Sequence, residues 1–167
     1  MTGRLLLIGM PAAGKTTVGT RLAEALALPF FDSDALVEQA AGQTIPRLFA
    51  QEGERAFRCR ERQVLEELCC GAEHCVIATG GGVVLLPENR TLLRRSGTVF
   101  WLDRNLPNIM STEFACGRPL LTAGEPALRA LYDARKELYE ACAHYRVPDG
   151  TVQEMSEYIL RIWRETP

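Results

Sequence analysis

The chain has almost no excess of either charge: 19 Lys and Arg stand against 21 Asp and Glu, a formal net charge of −2. No whole-molecule field is available to draw in nucleic acid or an anionic membrane, so a small, locally recognised partner is expected instead. Histidine is scarce, with only His74 and His144, and neither sits in a ligand cluster. The six cysteines, at 59, 69, 70, 75, 116 and 142, include no CxxC pair. Structural zinc is therefore disfavoured, and a three-bridge disulfide framework belongs to short secreted chains, which this does not resemble. Buried or incidental thiols are expected. Long apolar runs are missing too: Leu5 to Ile8 is shorter than a signal-peptide core of about 7 to 15 residues, and nothing approaches the ~18 of a membrane span. A cytoplasmic location with no membrane partner is the expectation. Repeats, low-complexity tracts and linkers are absent.

What the 167 residues do contain is ordinary globular material, 47% hydrophobic and 24% charged. The length suits one domain of about 100 to 200 residues, which buries about 70% of the surface its unfolded chain exposes and needs no covalent staples. A single domain over residues 1–167, acting as a monomer, is expected.

Arg4-Leu-Leu-Leu-Ile8 is an uninterrupted apolar run stopped by Gly9, the pattern of a parallel strand buried on both faces. Val18, Leu22, Ala25 and Leu26 then recur at helical spacing until Pro29. Further short strands are predicted at Phe30-Phe31 ending on Asp32, at Cys75–Ala78 before Thr79 and three glycines, at Thr98–Leu102 closed by Asp103, and at Tyr145–Val147. Between them lie helical patterns. Glu54 to Cys70 puts Phe57, Val64, Leu65 and Leu68 on one face; Glu125 to Ala143 reads as one long helix; Thr151 and Glu154 form a capping box ahead of a last helix. Alternation of β and α implies an α/β fold with a parallel sheet and right-handed crossovers. Asn105 to Gly124 has poor periodicity and carries Pro107, Gly117, Pro119 and Gly124, so a functional connection, a lid, is expected there.

Gly9-Met-Pro-Ala-Ala-Gly14-Lys15-Thr16 fits GxxxxGK[ST] and lies directly after a buried strand and before a helix. Its glycines let the backbone wrap with N–H groups inward, an anion nest whose field adds to that of the helix N-terminus. Ala12, Ala13, Gly14, Lys15, Thr16 and Thr17 are the expected nucleotide-binding residues. Lys15 would reach the β and γ phosphates, and the Thr16 hydroxyl would ligate Mg²⁺ directly. Kinases, GTPases and motor ATPases share this loop. The chain has no NKxD-type guanine reader and no long apolar strand ending in Asp-Glu. With so little length beyond a nucleotide core, a small-molecule kinase is favoured.

Asp32 and Asp34 fall at the C-terminal end of the second predicted strand, the edge where open α/β sheets bind ligands. One can face a metal and the other an acceptor; alternatively Ser33 or Asp34 caps a helix and Asp32 sits in a turn. Arg58 and Glu61 lie one helical turn apart, which on spacing alone is equally a surface pair worth a few tenths of a kcal/mol. Phe49 and Phe57 would otherwise be plain core, and Gly80-Gly81-Gly82 a loose turn.

At these residues the chain resembles the shikimate kinases. The likeness runs from Leu5 to about Ala143 and takes in GMPAAGKTT, FFDSD, the G-x-T-I…F…GE…FR…E stretch, TGGG at 79–82, RPLL at 118–121 and R-x-x-L-Y-x-x-A from Arg135, in matching order. It implies a single-domain, three-layer α/β/α P-loop kinase with a central parallel five-stranded sheet. A mobile lid would span about 105–124 and an acceptor-binding helical region about 33–61. The implied reaction is ATP-dependent phosphorylation of a hydroxyl of shikimate, with Mg²⁺, in chorismate and aromatic amino-acid biosynthesis. The resemblance makes Asp34 the candidate base and hydroxyl acceptor, and lets Asp32 hold the metal through water. It gives Arg58 and Arg135 the substrate carboxylate, a task suited to forked guanidinium groups. Gly80, Gly81 and Gly82 would offer backbone N–H groups, Gly81 foremost, and Phe49, Phe57 and Glu61 would wall the pocket. Arg118 would swing in with the lid, bind nucleotide and neutralise charge on the transferring phosphate.

The chain departs from the family on the base side. No Lys or Arg lies between Arg104 and Arg118, where a basic residue near the adenine is usual; Met110, Ser111 and Thr112 occupy that region. Only Pro148-Asp149-Gly150 follows Val147, where the family's loop is often longer, and Glu137 replaces a common proline. Weakened base discrimination, with Met110 or Phe114 packing on the ring, is expected. Two other readings stay open: a P-loop kinase of another small hydroxyl acceptor such as gluconate or a nucleoside monophosphate, and a non-catalytic nucleotide-binding regulator.

Overall fold

The computed structural model describes residues 3–111 and 124–165. Strands β1 (Arg4–Ile8), β2 (Phe30–Asp32), β3 (Cys75–Ala78), β4 (Thr98–Leu102) and β5 (Tyr145–Val147) form one sheet in the order β2-β3-β1-β4-β5. Every pairing is parallel. All residues of β1, β3 and β4 are buried, so helices cover both faces of the sheet, as their unbroken apolar runs demand. Leu7 pairs with Ala78 on one side and Phe100 on the other. That register brings Gly9, Thr79 and Asp103 out at one edge, where the ligand-binding loops gather.

The helices are α1 (Lys15–Leu26), α2 (Ser33–Ala41), α3 (Ile45–Cys70), α4 (Pro87–Ser96), α5 (Leu106–Met110), α6 (Glu125–Cys142) and α7 (Val152–Glu165), with a 3₁₀ turn at Val83–Leu85. One layer pairs α1 with α7, and α3, α4 and α6 pack in succession as another. The expected capping box opens α7: the Glu154 N–H donates to Thr151 Oγ1 at 3.2 Å, and the Thr151 N–H donates to Glu154 Oε2 at 2.8 Å.

Three details differ from the sequence reading. Helix α3 starts at Ile45 rather than Glu54, with Thr44 as N-cap residue and Pro46 in its first turn, and is interrupted at Gly53 (φ 81°, ψ 172°). The start signal is proline, pre-set for a first helical turn, and the interruption falls on the residue type that tolerates positive φ. Arg4 is no apolar residue of a strand but a buried cation whose guanidinium donates to the carbonyls of Gly71, Ala72 and Ser96, at 3.1, 2.8 and 3.3 Å. It thereby satisfies carbonyls at the ends of α3 and α4. The cap of α2 is Asp32, not Ser33 or Asp34: its Oδ1 accepts from the N–H groups of Asp34 and Ala35, at 3.0 and 3.4 Å.

Cys69, Cys75 and Cys142 are buried and free, and burial pushes all three thiols up, Cys142 to about 11; Cys59 and Cys70 are exposed. Among the described residues no helix is long and apolar enough to cross a membrane.

Candidate active site

Between β1 and α1 the chain turns through Ala12 (φ 61°) and Gly14 (φ 87°), the latter the N-cap of α1. The turn closes with the Ala13 N–H donating to the Met10 carbonyl at 3.2 Å, so Ala13 supports the loop from inside, its side chain fully buried. Ala12, Gly14, Lys15, Thr16 and Thr17 line a cavity of about 190 Å³ at the positive end of α1. Lys15 is buried and donates to the carbonyls of Gly9 and Met10, at 2.9 and 2.7 Å, which holds its ammonium across the loop. Opposite, the Thr16 hydroxyl donates to Asp32 Oδ2 at 2.6 Å.

A second cavity, of about 420 Å³, adjoins the first. The structure brings Asp34, Phe49, Phe57, Arg58, Glu61, Gly80, Gly81, Gly82 and Arg135 together in its wall, and adds Pro11, Glu38, Ile45 and Pro46. Arg58 and Glu61 do not form a surface pair. Glu61 is 1% exposed and accepts from Arg58 Nη1 at 2.7 Å, while Glu54 also reaches Arg58, at 3.3 Å. The Phe49 and Phe57 rings meet at 4.7 Å, and the Arg58 guanidinium lies 5.0 Å over Phe57, so the Phe57 face helps hold the cation in place. Arg135, on α6, is 7% exposed and has no carboxylate within ion-pair distance among the described residues. Its guanidinium is hydrogen-bonded to the Tyr139 hydroxyl, and a buried cation that no carboxylate neutralises is costly, so in this setting it is poised for an anionic ligand.

The three glycines are needed for close approach. A Cβ at Gly80 would sit 2.5 Å from Asp34 Oδ1 and 2.9 Å from Glu61 Oε1; at Gly81 it would meet Pro11 at 2.7 Å, and at Gly82 it would land on the Arg58 guanidinium. The Gly80 N–H already donates to Ser33 Oγ at 3.1 Å, and the Gly81 carbonyl accepts from the Tyr139 hydroxyl at 2.6 Å. The Gly80 N–H thus serves to fix the loop.

Burial is the main cause that raises the Glu61 carboxyl above its ordinary 4.5; Arg58 opposes it and Asp34 adds to it. Folded Glu61 thus keeps its proton to a higher pH than the unfolded chain does. Its favourable contribution to stability is full below about 4.5 and is lost as pH rises through the native value. Glu61→Gln is expected to flatten the fall of melting temperature from pH 4.5 upward, measured by calorimetry across that range.

Beside the phosphate loop stands Arg104, which the sequence reading did not single out. Its Nη1 lies 3.6 Å from where a Cβ of Gly14 would be, and its Nε pairs with Asp149 at 3.6 Å; Asn108 Nδ2 donates to the same carboxylate at 2.7 Å. Arg104 and Asp149 border a groove of about 740 Å³. Met110 is exposed. Arg118, Phe114, Thr112, Cys116 and most of the expected lid lie outside the described residues.

Asp32 and Asp34 line both cavities, so a nucleotide's terminal phosphate and an anionic acceptor would meet over one carboxylate pair. That juxtaposition, on a parallel α/β/α sheet, defines a P-loop kinase acting on a small molecule. The family model described as shikimate kinase matches residues 11–164, and the chain belongs to that family. A shikimate kinase of Neisseria meningitidis serogroup C is 42% identical over 163 residues, 95% of either chain. One from Burkholderia thailandensis is 45% identical over 149 residues, 87% of this chain and 80% of that one. Among solved structures, shikimate kinase from Acinetobacter baumannii in complex with shikimate superposes with a TM-score of 0.90 at 38% identity, covering 97% of this chain and 93% of that one.

Proposed function

We propose that the chain transfers the γ-phosphoryl group of ATP to a hydroxyl of shikimate, giving shikimate 3-phosphate and ADP. The observation that carries this reading is Arg135: a cation 7% exposed, without a carboxylate partner among the described residues, in the wall of a cavity that adjoins the phosphate loop. Arg58 stands in the same wall, and two guanidinium groups suit a carboxylate. Asp34 accepts from the hydroxyl to be phosphorylated and takes its proton; Lys15 and the N–H groups at the start of α1 hold the β and γ phosphates. Arg118 would neutralise charge on the transferring group.

Thr16 and Asp32 present only oxygen donors, the chemistry that suits Mg²⁺, and their hydroxyl and carboxylate are already 2.6 Å apart. Thr16 would bind the ion directly and Asp32 through water. An Mg²⁺ ion held there would supply positive charge to offset that of the phosphate oxygens. A cytoplasmic monomer completes the proposal.

The test mixes protein, Mg²⁺ and ATP with shikimate, gluconate or a nucleoside monophosphate and follows ADP release. Shikimate-dependent turnover supports the reading; another active acceptor, or ATP binding without turnover, overturns it. In the same assay GTP and CTP are expected to reach a kcat/KM within about tenfold of that for ATP, a spread of roughly 1.4 kcal/mol. Much poorer use of both would refute weakened base discrimination.

A further inference from the structure

Tyr139 stands on α6 one turn beyond Arg135, so the two side chains leave the same face of the helix. It is wholly buried, its ring stacked on Trp101 with centroids 5.9 Å apart. Its hydroxyl touches the Met10 thioether of the phosphate loop, at 3.9 Å, and donates to the Gly81 carbonyl at 2.6 Å. That single group therefore meets the phosphate loop, the glycine loop and the helix bearing Arg135. Packing alone does not call for it, because the ring would stack on Trp101 equally well without an oxygen.

In a planar trans peptide the carbonyl and the next N–H point in opposite directions. Drawing the Gly81 carbonyl toward Tyr139 turns the Gly82 N–H the other way, and Gly82 lines the acceptor cavity against Arg58. The Gly80 N–H is held by Ser33 at 3.1 Å, which fixes the other end of the loop.

We propose that Tyr139 is a positioning residue for the acceptor: its hydroxyl sets the Gly81–Gly82 peptide so that the Gly82 N–H faces the substrate, and ties that peptide to the helix carrying Arg135. This rests on the reading of the cavity as the shikimate site.

Tyr139→Phe keeps the ring and removes only the donor. It is expected to lower kcat/KM for shikimate about tenfold or more, as leaving a buried acceptor unsatisfied does, with KM for ATP changed by less than about twofold. Unchanged shikimate kinetics would overturn the proposal. So would a parallel rise in the KM of ATP, which would make the hydroxyl a prop of the phosphate loop through Met10. A second variant guards against a folding defect: a ring-fluorinated tyrosine placed at position 139, whose phenol ionises at lower pH. Burial pushes the native phenol up to about 12; of the charged groups that face it, Arg135, which hydrogen-bonds it, and Arg58 oppose the rise and Glu61 adds to it. The fluorinated chain should therefore lose shikimate kcat/KM at alkaline pH where the wild type does not, because a phenolate repels the carbonyl; matching pH profiles would overturn the proposal. A wild-type chain inactive on shikimate removes the parent reading as well. An active wild type with indifferent variants removes only the role of Tyr139.

Discussion

Arg58→Ala is expected to cut kcat/KM for shikimate by the equivalent of about 2 to 5 kcal/mol, the range for truncating one partner of a buried charge pair. Much of that loss should appear in the KM of shikimate and little in that of ATP, since Arg58 lines the acceptor cavity and not the phosphate cavity. The substitution also strands Glu61, which is 1% exposed and has Arg58 as its nearest counterion, at 2.7 Å. Glu61 should then take up a proton at still higher pH than it does now, and the variant should melt at lower temperature near neutrality. Adding Glu61→Gln to Arg58→Ala should restore melting temperature without restoring shikimate binding. Calorimetry and steady-state kinetics on both variants separate the two effects. If Arg58→Ala kept normal shikimate use, the acceptor site assigned here would be wrong.

Asp34→Asn should lower kcat by roughly 10²- to 10⁴-fold, the span for removing a general base. The lower end is favoured, because phosphoryl transfer relies more on alignment and charge than on proton removal. The amide keeps the size of the side chain, so the close approach to Gly80 survives, where a Cβ would stand 2.5 Å from Asp34 Oδ1. Thermal stability should therefore change far less than rate. Single-turnover measurement with saturating ATP and shikimate isolates the chemical step; a kcat within about threefold of wild type would exclude Asp34 as the base.

Much of this architecture was legible beforehand, for local reasons. The strands announced themselves as short apolar runs ending in Gly9, Asp32, Thr79 and Asp103, and the phosphate loop as glycines at fixed spacing between a strand and a helix. What escaped depends on partners far apart in the chain. Arg4 was counted into the apolar run of the first strand, and its role depends on carbonyls of Gly71, Ala72 and Ser96, distant in the chain, that surround it. Arg104 and Asp149 become neighbours only because β4 and β5 pair side by side. The status of Arg58 and Glu61 was ambiguous for a related reason: a spacing of one helical turn is the same whether the turn faces solvent or a cavity, and only the packing of the α2 to α3 region decides. Asp32 was read as ligand or turn residue, yet the same carboxylate caps α2 with one oxygen and meets Thr16 with the other.

Because Asp32 and Asp34 border both cavities, a ligand that perturbs these carboxylates from one cavity would be felt in the other. Two ligands that perturb the same carboxylates are thermodynamically coupled, and the coupling is reciprocal: whatever factor ATP imposes on the dissociation constant of shikimate, shikimate imposes on that of ATP. Affinities measured one ligand at a time therefore describe the two empty-partner edges of a four-state cycle. The remaining edges differ from them by one common factor.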